Sequence, residues 1–222
     1  MANHLRMEMD KLKKALLSLS TDVEGALSKA VLSVKNLDPK LAKQVIEADH
    51  KIDHREVEVE EECLKILALH QPVAIDLRCV IASLKINNDL ERIGDLAVNI
   101  SERVIYLDKK PATVIPFDFS TMSSIALKML RGAIDAFIRM DLKLAHEVWG
   151  SDDEVDELNR QVYGKVYAEI RKNPEDVEAQ IHYLSISRHL ERIADYATNI
   201  CEDVIYMAEG KIVRHLPESF SE

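Results

Sequence analysis

The sequence predicts an all-α protein: two tandem three-helix bundles related by an internal repeat, six long helices in all. Three observations lead there. Only six glycines and six prolines stand among 222 residues, too few for the turns of a β-sandwich or the loops of an α/β enzyme. Apolar residues recur with a sustained 4-3 spacing, the mark of a helix face packed in a coiled-coil-like seam. Finally, a segment late in the chain repeats one found a hundred residues earlier.

The elements follow from the punctuation. A first helix over residues 4–36 ends before Asp38-Pro39, which reads as an N-cap followed by proline at the first helical position. The second, 39–70, ends at Gln71-Pro72, since the residue before proline is pushed out of the helical region. The third spans 73–109. Pro111 and Pro116 then bracket a linker over 111–118, dividing a first bundle (1–110) from a second (119–222). A fourth helix covers 119–139, and Asp141 caps a fifth over 142–172. Asn173-Pro174 opens the sixth, 174–209, with Gly210 and Pro217 closing the segment.

The third and sixth helices are copies. Asp89 to Tyr106 aligns without gaps on His189 to Tyr206, with 12 of 18 positions identical. The second and fifth align at an offset of 103, matching Asp38 with Asp141, Asp49 with Asp152 and Asp53 with Asp156. Ile86, Leu90, Ile93, Ala97, Ile100, Val104 and Leu107 form the seam of the third helix; Ile186, Leu190, Ile193, Ala197, Ile200, Val204 and Met207 repeat it. Leu41, Val45, Ala48, Ile52 and Val59 are the corresponding set on the second. A helix of 32 residues spans about 48 Å, so each bundle is elongated.

Composition removes several classes. A net charge of −10 and a pI near 5.3 oppose nucleic acid or an anionic membrane as the main partner. No apolar run exceeds the five residues from Val204 to Ala208, so membrane insertion is not expected. Residues 1–14 carry charges throughout and lack the apolar segment of a signal peptide. Cys63, Cys79 and Cys201 are odd in number and widely spaced, as expected of reduced, buried thiols in the cytoplasm.

Beside the seam runs an acidic stripe. Glu91 and Asp95 are four apart, as are Glu191 and Asp195, Asp49 and Asp53, and Asp152 and Asp156. Like charges at this spacing destabilise a helix unless something offsets them. The turns show which pairs meet. Asp53 with Glu91 and Asp49 with Asp95 are both symmetric about residue 72; Asp156 with Glu191 and Asp152 with Asp195 are symmetric about 173–174. Each hairpin therefore brings four carboxylates to one level. Two unit charges about 6 Å apart repel by about 3 kcal/mol at an effective dielectric of about 20. Four of them call for a cation, protonation or extensive solvation, and hard oxygen donors suit a di- or trivalent metal, with Mg, Mn and Ca not excluded. Arg92 and Arg192 offset part of the charge, or face another helix, being about 100° around from the glutamates. Glu56 and Glu60 extend the first stripe where the second has Asn159 and Tyr163, so the two sites differ in ligand count.

Other candidates are weaker. His50 and His54 are four apart, but the second unit has Asp153 and Glu157 there, which favours a solvent-facing pair. Glu47-x-x-His50 is the one Glu-x-x-His in the chain, whereas ferritin-like di-iron bundles use two. Trp149 and the tyrosines read as packing residues. No Gly-rich phosphate loop or nucleophile–base motif stands out, so no catalytic residue is assigned and an enzyme is not expected.

At Gln71-Pro72-Val73-Ala74-x-Asp76-Leu77-Arg78, at Leu90-Glu91-Arg92-Ile93-Gly94-Asp95 and at His189 through Ile200, the sequence resembles the PhoU family, as does the ending Glu209-Gly210-Lys211-Ile212-Val213-Arg214-His215. The resemblance implies two PhoU bundles packed with pseudo-twofold symmetry. It implies a cytoplasmic regulator that restrains phosphate uptake and phosphate-starvation (Pho regulon) signalling, a homodimer whose partners are the ATPase of the phosphate ABC transporter and a PhoR-type sensor histidine kinase. It further implies iron or zinc clusters at Asp49, Asp53, Glu91 and Asp95, and at Asp152, Asp156, Glu191 and Asp195, the residues that turn symmetry selects. Asn99 and Asn199, with Arg92 and Arg192, match family positions around them. The alternatives are a di-metal carboxylate oxidoreductase and a metal-free structural adaptor. Consumption of oxygen or peroxide would mark the first, and indifference to loss of all eight carboxylates the second.

Overall fold

The computed structural model describes residues 2–110, 115 and 117–211. Pro111, Pro116, Pro217 and the segment from Ile212 to His215 lie outside the described residues. Among the described residues, seven α-helices form two three-helix units. The first unit comprises α1 (Ala2–Asn36), α2 (Pro39–His70) and α3 (Ala74–Leu107); the second comprises α4 (Ser120–Arg139), α5 (Leu142–Trp149) with α6 (Asp152–Lys172), and α7 (Val177–Glu209). A single 3-10 turn, Pro174–Asp176, leads into α7. Among the described residues, no helix is long and apolar enough to cross a membrane.

The repeat extends to individual backbone hydrogen bonds. Asp38 and Asp141 both cap: Asp38 accepts from the Lys40 and Leu41 N–H groups, and Asp141 from that of Leu144. Each follows a residue held in the left-handed region, Leu37 (φ 45°) and Met140 (φ 53°). The Asp38 N–H donates to the Ser33 carbonyl at 3.0 Å, and the Asp141 N–H donates to Ala136 at 3.0 Å. One corner has thus been used twice.

The expected fifth helix is not continuous. It divides at Gly150-Ser151 into α5 and α6, with the Gly150 N–H on the His146 carbonyl and the Ser151 N–H on Val148. The same place in α2 holds Glu47 and Ala48, which are better helix formers than glycine and serine. The break makes Asp152 the first residue of α6, whereas Asp49 lies in mid-helix.

Helices α3 and α7 form the centre of the molecule. They pack against each other, and each also packs against the other helices of its own unit. Both expected seams are buried along their whole length, from Ile86 to Leu107 and from Ile186 to Met207. Full burial of such a leucine or isoleucine stabilises by about 1.5–3 kcal/mol. On α1 the matching stripe is Leu12, Leu16, Leu19, Val23, Leu27, Ala30 and Val34. On α2 the expectation needs correction: Ala48 is exposed and Leu41 only half-buried, while Ala42, Val45, Ile52, Val59, Cys63 and Ile66 are buried. The 4-3 spacing of that buried stripe runs through Asp49 and Glu56. Two acidic residues therefore occupy positions where the packing pattern calls for apolar ones.

Candidate metal centre

The acidic stripes face one another across the α2–α3 and α6–α7 hairpins. In the first unit Asp49 is half-buried on the seam, and its carboxyl is pushed up to about 6, first by burial and then by the charges of Asp53 and Asp95. Glu91 is raised by burial, then by Asp95, with Glu56 and Asp53 adding from across the hairpin and Arg92 opposing. Glu56 is raised by burial and by Glu60 and Asp53. The second unit repeats this. Asp152 is pushed up to about 6 by burial, then by Asp195, Asp156, Asp153 and Glu191. Glu191 is raised by burial, Asp195 and Asp156; Asp195 is raised by burial and Asp156. All eight carboxylates thus take part in mutual repulsion across their hairpins, in the pairings that turn symmetry gives.

Local packing explains how they come so close. Gly94 lets α2 approach α3: a Cβ there would sit 3.2 Å from Ile52 Cγ2 and 3.6 Å from Asp49 Oδ1. On α2 the exposed His50 opposes the rise at Asp49 only in part, and Lys51 and Arg55 turn to α1 instead. Lys51 Nζ lies 2.8 Å from Asp22 Oδ1 and Arg55 Nε 3.1 Å from Asp22 Oδ2. Arg92 and Arg192 are exposed, and each only partly offsets the glutamate beside it. Asn99 and Asn199 are half-buried one turn beyond Asp95 and Asp195.

The second-unit stripe is shorter, and hydrogen bonds show why. Asn87 Nδ2 donates to the Glu56 carbonyl at 2.9 Å and to Glu56 Oε1 at 3.0 Å. At the repeat-related place Ser187 Oγ donates to Asn159 Oδ1 at 2.6 Å. The first group therefore holds a fifth carboxylate, Glu56, where the second holds a neutral amide. His50 and His54 are exposed; His50 Nδ1 stands 4.0 Å from Asp53 Oδ2 and His54 Nδ1 4.0 Å from Glu58 Oε1.

The donor set fits a hard cation. It consists of carboxylate oxygens, partly desolvated, mutually repelling and short of counter-charge. Among the described residues, no three His, Cys, Asp or Glu side chains close into a ready-made cage. The arrangement thus supplies the charge and the donors.

Reading the sequence missed a second polar region, between α3 and α7. It includes the ion pair of Lys85 Nζ with Asp203 Oδ1 at 3.0 Å, Arg103, the stacked rings of Tyr106 and His182, and His189. No short turn joins these two helices, so the sequence offers no ruler for their register.

The fold and the paired acidic stripes define a tandem three-helix-bundle protein with two repeat-related candidate metal centres. The PhoU domain model matches residues 16–104 and again 119–204, and the chain belongs to the PhoU family. It is similar to the phosphate-specific transport system accessory protein PhoU homolog 1 of Thermotoga maritima, with 35% identity over 209 residues, 94% of this chain and 90% of the relative. A homolog from Aquifex aeolicus is 37% identical over 208 residues, 94% of each chain. Among solved structures, PhoU from Pseudomonas aeruginosa superposes with a TM-score of 0.89 at 34% identity, covering 93% of this chain and 99% of that one. The phosphate transport system regulatory protein PhoU from Streptococcus pneumoniae gives 0.84 at 30% identity, covering 94% and 99%.

Proposed function

We propose that this chain is a cytoplasmic, non-catalytic accessory protein of a phosphate-specific transport system, and that it restrains uptake and phosphate-starvation signalling through metal-bearing acidic surfaces. The accessory role is supported by relatives of that description that match nearly the full chain. The metal reading rests on one observation: two repeat-related carboxylate groups, each with a half-buried aspartate (Asp49, Asp152) pushed up to about 6 beside a half-buried glutamate (Glu91, Glu191), and with Asp53, Asp95 and Asp195 exposed around them.

Asp49, Asp53, Glu91 and Asp95 would hold ions in the first unit, and Asp152, Asp156, Glu191 and Asp195 in the second. A bound ion, iron or zinc by family resemblance, supplies positive charge that neutralises the repulsion between facing helices. The chain's own residues set the spacing: Gly94 brings α2 close, and Asn87 fixes Glu56 beside the group. Partners on this reading are the transporter's ATPase and a PhoR-type sensor kinase, engaged by a homodimer.

Two measurements test it. Metal content is determined after purification without chelator, for the native chain and for Asp95→Ala with Asp195→Ala; native protein holds near-stoichiometric metal and the variant loses most of it. Equal, negligible content in both after iron and zinc are supplied would sink the site assignment. Phosphate-responsive expression in a deletion strain tests the role, and unchanged expression would remove it.

A further inference from the structure

The two ends of the antiparallel α3–α7 seam are related by the internal repeat but differ in their buried polar side chains, acids at one and bases at the other. At one end Lys85 pairs with Asp203, whose side chain is only 2% exposed. Lys85 Nζ also lies 5.3 Å from the Tyr206 ring centroid, and Asp89 is buried nearby in sequence on α3. At the offset of 100, Asp203 corresponds to Arg103, Asp89 to His189, Ala82 to His182 and Lys85 to Ser185. Buried acids at the first end thus become bases at the second, and the residue that balances charge at the first end has a neutral counterpart.

The register places these bases together. The Tyr106 and His182 rings stack at 3.8 Å, and Lys110 Nζ lies 2.7 Å from Glu178 Oε2. Continuing that antiparallel pairing puts Arg103 opposite the stretch between His182 and His189, which are two turns apart on one face of α7. Burial first and the Arg103 guanidinium second hold both imidazoles below the usual histidine value. Three nitrogens here, Arg103 Nε, His182 Nδ1 and His189 Nδ1, are buried and have no hydrogen-bond partner. Unpaired buried groups of this kind are uncommon and ask for a partner.

Two acids, Glu102 and Glu178, lie close enough to act on His189 and His182, but both are bound to other groups of their own. Glu102 bonds the outer edge of the guanidinium, Nη2, at 3.2 Å and is half exposed. Glu178 is taken by Lys110. Arg188 and Arg192, exposed on the same helix, add positive charge that reaches His189. A guanidinium and two imidazoles approaching from two helices offer several N–H groups to one small acceptor, the arrangement that suits a tetrahedral oxyanion.

We propose that this end of the α3–α7 seam, at Arg103, His182 and His189, binds a tetrahedral oxyanion, with free inorganic phosphate as the occupant. Arg103 Nε–H donates to one phosphate oxygen and the imidazole N–H groups to others. The side chain of Arg103 is 31% exposed, so the group reaches solvent at this edge. The proposal does not depend on the metal reading, since none of the eight stripe carboxylates belongs to this site.

The test uses the full chain, followed by calorimetry and by imidazole NMR of His182 and His189. Sodium phosphate is compared with sodium chloride at equal ionic strength, and with glycerol phosphate. Saturable shifts with phosphate and none with chloride are expected, and Arg103→Gln weakens binding about tenfold or more. His182→Asn gives the same comparison if Arg103→Gln does not fold. Saturation by glycerol phosphate alone would overturn the free ion as occupant. Absence of a saturable shift overturns the site. So does binding that both variants leave unchanged, which is how phosphate held by metal at the carboxylate stripes would behave.

Discussion

Asn87 on α3 grips Glu56 on α2 twice, through the backbone carbonyl at 2.9 Å and the carboxylate at 3.0 Å. The amide holds a negative charge beside Asp53 and Glu91 where the repeat-related pair, Ser187 with Asn159, holds none. The two acidic groups therefore differ in where their fifth carboxylate sits: Glu56 is half-buried and held by Asn87 in the first, whereas Asp153 is exposed at the start of α6 in the second. The first is expected to bind divalent metal more tightly. In metal titrations, Asp152→Ala with Asp156→Ala retains the tighter class of sites, and Asp49→Ala with Asp53→Ala retains the weaker. Glu56→Gln brings the first site toward the affinity of the second.

Metal-free protein is expected to lose stability as pH rises from about 4 to about 6. Asp49 and Asp152 titrate near 6 when folded against an ordinary value near 3.8, so in this window the folded chain binds more protons than the unfolded one. Stability then falls with increasing pH. Both groups are partly solvated, so the loss is modest, on the order of 1 kcal/mol each. Melting temperature measured in chelator should fall across this range, and saturating zinc should abolish the fall. A flat profile in chelator would contradict the crowding of these carboxylates.

Lys85→Met leaves the Asp203 carboxylate buried without its lysine. Because Lys85 is itself partly exposed, the expected loss is about 1–3 kcal/mol, below the range for fully buried pairs. Urea denaturation should show the double variant Lys85→Met with Asp203→Asn recovering part of it. An additive double variant would mean that the pair is not coupled.

Cys63 and Cys201 should resist alkylation in the folded state. Burial pushes both thiols up to about 12, so the thiolate is scarce at neutral pH and the sulfur is out of reach. Cys79 is only half-buried and is also raised by burial. With iodoacetamide followed by mass spectrometry, Cys79 should label first, and the other two only on unfolding.

The helices, the seams of α3 and α7 and the facing of Asp49 with Asp95 and of Asp156 with Glu191 were legible because proline-marked turns fix hairpin register. A short turn, three residues between α2 and α3 and four between α6 and α7, converts sequence distance into spatial pairing. The break at Gly150-Ser151 was less visible: one glycine inside a periodic stretch costs only about 1 kcal/mol, and tertiary packing decides whether the helix runs through it. The place of Asp49 on the buried stripe escaped for another reason. Ala48 completes an equally good apolar spacing with Val45 and Ile52, and only the packed helices show that the face turns toward Asp49. The Arg103–His182–His189 group was out of reach of sequence pattern, since it joins helices whose connection passes through the linker and three other helices.

Helices α3 and α7 each carry one acidic stripe toward α2 or α6 and the inter-unit seam along another side, besides packing on the remaining helices of their own unit. Both stripes are consequently one rigid rod away from the same joint. The helix that carries Glu91 and Asp95 touches the helix that carries Glu191 and Asp195 directly, with no other element between them. The two units thus share one central pair of helices, and only one of them has its outer helix interrupted, at Gly150-Ser151.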